Sequence, residues 1–172
     1  MKKNTALALI IGLMLTGTIT HADPPDHETL RNFLEGMGPD ERGVYDPMSL
    51  RGICTHEHIL FRDYSTEVER LCNEIIAKFE TLIASPQHFC ATQEFFDGLY
   101  GAFRKIQKND KKMAKHLQDV HEAAANNNTR AQARAERALN TEGGRLQTNL
   151  ETFKSKVNQI ENFGQDEPCS AE

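Results

Sequence analysis

Apolar residues recur at Phe96, Leu99, Phe103, Ile106, Met113, Leu117, Val120 and Ala124, in alternating steps of three and four broken once, at Asp110. That rhythm is the seam of a heptad-patterned helix. A second seam runs through Leu139, Leu146, Leu150, Phe153, Val157 and Ile160, with Gly143 at the position where a core residue is missing. Each seam needs a partner, and the simplest partner is the other one: two long amphipathic helices between Thr92 and Phe163, folded back on each other.

Between the seams lies Asn126-Asn127-Asn128-Thr129, three poor helix formers followed by a residue suited to N-capping. A turn here gives arms of nearly equal length, which cover each other along roughly 50 Å at about 1.5 Å per residue. The rival turn is Gly143-Gly144, and two glycines cost about 2 kcal/mol in a helix interior, more than the Asn cluster. That rival leaves a helix from Thr92 to Asn140 facing a much shorter one from Arg145 to Phe163, with apolar surface uncovered. Equal arms therefore favour the Asn turn. In that register Asp110 stands opposite Arg145, so the break in one seam meets the glycine irregularity in the other, and an ion pair between them would set the register.

Upstream, Leu30, Phe33 and Leu34 define a short helix over Glu28 to Glu35, ended by Gly36, Gly38 and Pro39. The Gly, Pro and Asp content from there to Gly52 predicts a loop, with Val44-Tyr45 as a docking point. Thr66-Glu67-Val68-Glu69 reads as a capping box opening a helix to Ser85, with Val68, Cys72, Ile75, Ile76, Phe79, Leu82 and Ile83 on its buried side. It is short enough to cover only part of the long hairpin. The fold class is thus all-α: an elongated antiparallel helical bundle, made of a long hairpin, one shorter helix and a loop-rich N-terminal segment, and braced by disulfides.

The first residues change the picture of where this bundle works. Lys2 and Lys3 precede an uncharged apolar run from Ala6 to Leu15, and Thr20-His21-Ala22 offers small residues for cleavage. This reads as a bacterial secretory signal peptide over residues 1–22, cleaved to give a periplasmic or secreted chain. An acidic N-terminal segment over 23–63, the bundle over 64–163 and a tail over 164–172 then follow. No later stretch is apolar enough for an integral membrane segment. Asp23 to Cys90 holds thirteen acidic and six basic residues, whereas Ala91 to Phe163 holds nine acidic and twelve basic. An acidic half can face a basic half within one molecule or between two, so self-association is open. The overall acidity argues against nucleic acid as a partner.

Four cysteines in an oxidising compartment imply two disulfides. In an up-down-up bundle Cys169 returns to the end where Cys90 begins the second helix, which pairs Cys90 with Cys169 and leaves Cys54 with Cys72 to fasten the N-terminal loop. Cys72 with Cys90 is disfavoured, because Cys72 lies about 20 Å down its helix from Ser85. The competing chemistry is zinc held by Cys54, His56, His58, His88 and Cys90, but neither C-x-x-C nor H-E-x-x-H occurs. No metal and no cofactor is assigned.

No nucleophile motif, haem attachment motif or phosphate loop is present, and His116 and His121 are five apart on their helix, which does not align two ligands. The expectation is a non-catalytic protein. One surface feature stands out: Arg104, Lys108, Lys111 and Lys115 follow steps of four, three and four, with Lys105 and Lys112 alongside. They form a basic stripe about three turns long on the outer face of the second helix of the bundle. Its bland role is a solvated face; its functional role is contact with an acidic partner, a cell-wall polymer or lipid head groups.

Taken together these features predict an exported helical interaction protein: an adaptor or assembly component of a bacterial envelope machine, such as a secretion system or surface appendage, with another envelope protein as partner. The elongated bundle is similar in layout to minor pilus components of conjugative secretion systems, a resemblance of architecture without a diagnostic motif. Small size, acidity and disulfides fit a periplasmic immunity or inhibitor protein as well, and a periplasmic chaperone or ligand-binding protein is a third class.

Overall fold

In the computed structural model, residues 27–55, 62–85 and 93–160 are described. Among them are five helices: α1 (His27–Glu35), α2 (Leu50–Thr55), α3 (Arg62–Ala84), α4 (Gln93–Ala125) and α5 (Thr129–Ile160). The all-α expectation holds, with α4 and α5 forming the long antiparallel pair and the shorter α3 packed on α5. The signal peptide, the tail, His56, His58, His88 and the Cys90–Cys169 pairing lie outside the described residues.

The hairpin turns at the Asn run. Ala124 O accepts from Asn127 N at 3.0 Å and Ala123 O from Asn128 N at 2.9 Å, the paired bonds that end a helix on a left-handed residue. That residue is Asn127, at φ 52°, and asparagine tolerates this conformation better than other side-chain-bearing residues. The cap of α5 is Asn128 and not Thr129: Asn128 Oδ1 accepts from Ala131 N at 3.0 Å, and its carbonyl accepts from Gln132 N. Gly143 and Gly144 stay helical, with Gly143 buried.

Both seams are buried as read, with two adjustments. Ala123 takes the buried place expected of Ala124, which is exposed, and Leu117 is half-buried.

At the other end of the hairpin, four helices meet in an aromatic cluster. Phe33 of α1 stands edge-on to Phe103 of α4 at 5.4 Å, and Phe153 of α5 stacks on Phe79 of α3 at 5.8 Å and lies 5.6 Å from Phe103. Phe79 and Phe153 are fully buried, and such pairs contribute about 0.5–1.5 kcal/mol each beyond the area they bury. Lys154 of α5 also pairs with Glu74 of α3.

Two local expectations are corrected. Helix α3 begins at Arg62, so Thr66 lies inside it and does not cap it. The stretch expected to be loop as far as Gly52 contains the start of α2, capped by Ser49, whose Oγ accepts from Gly52 N at 3.0 Å. Leu50 and Ile53, one turn apart on α2, are both fully buried. Gly52 is dictated by contact, since a Cβ there would lie 1.9 Å from the Asp46 carbonyl oxygen. The Cys54–Cys72 disulfide then fastens α2 to α3 across a Cα separation of 5.9 Å. As for the expected docking point, Val44 is exposed and Tyr45 is half-buried with the Arg51 guanidinium 5.4 Å over its ring.

Candidate interaction surface

The exposed face of α4 follows from what its opposite face buries. With Phe103, Ile106, Asn109, Asp110 and Met113 turned inward, Arg104, Lys105, Lys108, Lys111 and Lys115 are all exposed. At 100° per residue, Arg104, Lys108, Lys111 and Lys115 share a sector about 60° wide, and the row spans about 16 Å. Among the described residues, no carboxylate lies within ion-pair distance of Lys105, Lys108, Lys111 or Lys115. Arg104 bends back, donating to the Tyr100 hydroxyl at 3.1 Å with its guanidinium 4.5 Å over that ring.

Lys112 leaves the stripe. It is only half exposed, and its Nζ lies 3.2 Å from Glu142 Oε1 on α5. Glu142 is 94% removed from solvent and is the centre of a polar layer crossing the hairpin. It accepts from Asn109 Nδ2 at 2.7 Å and from Arg145 Nη1 at 2.5 Å as well, while Asn149 donates to Asn109 Oδ1. Burial works to raise the Glu142 pKa, and the three donors Lys112, Asn109 and Arg145 outweigh it, holding the carboxyl below its ordinary range.

The expected ion pair between Asp110 and Arg145 is therefore corrected. Arg145 turns to Glu142 on its own helix, one turn back, and Asp110 is buried. The coincidence of the two irregular positions is nevertheless real, because the layer forms beside Asp110 and Gly143. Sequence reasoning missed its members Asn109, Glu142 and Asn149. A signal existed: Glu142 lies three residues after Leu139 and four before Leu146, and Asn109 stands in the same relation to Ile106 and Met113, which places both toward the buried side.

Cys54, considered above as a thiolate ligand, is consumed by its disulfide. Among the described residues no cluster of three or more metal-ligating side chains occurs, and no helix is long and apolar enough to cross a membrane. Comparisons of the chain with family models, with curated proteins and with solved structures found no match.

Proposed function

We propose that this chain is an exported, non-catalytic helical interaction protein, an adaptor or assembly component of a bacterial envelope machine, that docks an acidic envelope partner on the outer face of α4. The observation that carries the reading is the row Lys105, Lys108, Lys111 and Lys115, exposed and without carboxylate partners among the described residues. Cations left unpaired on a rigid helix keep their field available to steer an acidic surface. Lys112, by contrast, is spent on the hairpin itself. Export is supported by the charged and apolar pattern of residues 1–22 and by the Cys54–Cys72 bridge, which belongs to an oxidising compartment.

Photo-reactive residues introduced at Lys108 and at Asn127, followed by mass spectrometry of what is captured in cells, test this reading. Capture of one acidic envelope protein from Lys108, and not from Asn127 at the hairpin tip, is the expected result. Capture of a toxin or enzyme would make the protein an inhibitor instead, and absence of a specific product at both sites in cells expressing the chain would remove the interaction reading.

A further inference from the structure

A pocket of about 310 Å³ opens between α1, the 36–49 loop and α4. That volume lies at the lower end of the usual range for small-molecule sites, roughly 300 to 1,000 Å³. Phe33, Tyr100 and Phe103 line it together with Met48, and the Phe33 ring lies 6.1 Å from that of Tyr100. The wall is held in place, because Gln107 Nε2 on α4 donates to the Met48 carbonyl at 2.8 Å. Among the described residues Tyr100 is one of the few large apolar side chains left open, at 46% exposure.

Among the described residues one charged group belongs to this lining, the half-buried Asp46. Its Oδ1 is taken by Met48 N at 2.8 Å. Its Oδ2 lies beside Gly36, where an added Cβ would sit 3.3 Å away, and it receives no hydrogen bond or ion pair among the described residues. Electron-rich ring faces and a carboxylate oxygen without a donor meet in one concave site, and both attract positive charge. Within this molecule Arg104 already uses that attraction, its guanidinium resting over the Tyr100 ring.

We propose that this pocket binds a small organic monocation, an alkylammonium or quaternary ammonium compound. Its apolar body lies against Phe33, Phe103 and Met48, and its charge sits between the Tyr100 ring and Asp46 Oδ2. Arg104 is then a competitor for the ring. This site is independent of the basic face, and either can fail without the other.

The test is titration of the full disulfide-bonded chain with choline, tetramethylammonium and n-butylammonium, and with 3,3-dimethylbutan-1-ol as the uncharged isostere of choline, followed by amide NMR shifts at Thr29, Asn32 and Ser49. At least one cation is expected to bind saturably and at least tenfold more tightly than the alcohol. Asp46→Asn keeps a side-chain carbonyl for Met48 N, so the loop stays capped, and it should weaken the cation at least tenfold while leaving the alcohol unchanged. Arg104→Ala should tighten cation binding. Equal binding of cation and alcohol, cation binding indifferent to Asp46→Asn in a folded variant, or no saturable shift with any of the three cations would overturn the proposal.

Discussion

Asn109 Nδ2 on α4 donates to Glu142 Oε2 on α5 across 2.7 Å, with both side chains buried. This bond joins the arms of the hairpin where each seam lacks an apolar residue. A polar group at such a level fixes register, since sliding either helix by one turn would bury Glu142 against apolar neighbours with its donors left behind. Glu142→Ala should lower stability by about 1–3 kcal/mol, because Asn109 loses its acceptor in a buried site and Lys112 loses its partner. Urea unfolding followed by circular dichroism measures the loss.

The same carboxylate gives the hairpin an acid limit. Its folded pKa lies below the unfolded value near 4.5, so its contribution is complete above that value and is lost as pH falls from there through the folded pKa. Thermal unfolding of the wild type between pH 6 and pH 3 should show a decline below about pH 4.5. In Glu142→Gln that decline should be shallower. An identical acid slope in the variant would remove Glu142 from the account.

The 36–52 segment depends on Gly52. A Cβ 1.9 Å from the Asp46 carbonyl oxygen meets backbone, which cannot rotate aside. Gly52→Ala should push the 46–49 turn off α2 and cost at least about 1–3 kcal/mol, the usual range for overpacking. Limited proteolysis at Arg42 and Arg51, faster in the variant while cleavage within α4 and α5 is unchanged, would locate the damage.

The bridge between Cys54 and Cys72 spans 18 residues of sequence. Replacing both by Ser should cost about 3 kcal/mol, the value expected for closing a loop of that length in the unfolded chain. Because the bridge anchors α2 to α3, hydrogen exchange should accelerate at Leu50 and Ile53 before it does at Leu146 and Leu150 of the hairpin.

How far the sequence foretold this structure depended on how many residues carried each signal. The span of α1 was legible to within one residue, because Leu30, Phe33 and Leu34 set its period and Gly36 at φ 63° ends it. The hairpin turn was legible because a run of Asn offers both a left-handed residue and a cap, although which Asn took which part was not. Helix α2 was hidden because six residues with a central glycine carry no measurable period. Glu142 was hidden for another reason: a carboxylate among polar and glycine neighbours reads as surface, and it takes Asn109, Lys112 and Arg145 to make its burial tolerable. Of the basic stripe the outward residues were correctly placed, while Lys112, at its edge, was drawn across to α5.

The most direct test of the central claim is charge reversal on the outer face of α4, scored by cross-linking in cells from a photo-reactive residue at Lys115. Lys108→Glu with Lys111→Glu changes two exposed side chains that make no ion pair among the described residues, so the melting temperature should move little, within the range of about 0.5 kcal/mol typical of surface substitutions. The partner captured by the wild type should disappear from the reversed variant at unchanged stability and abundance. Undiminished capture of that same partner would contradict the claim.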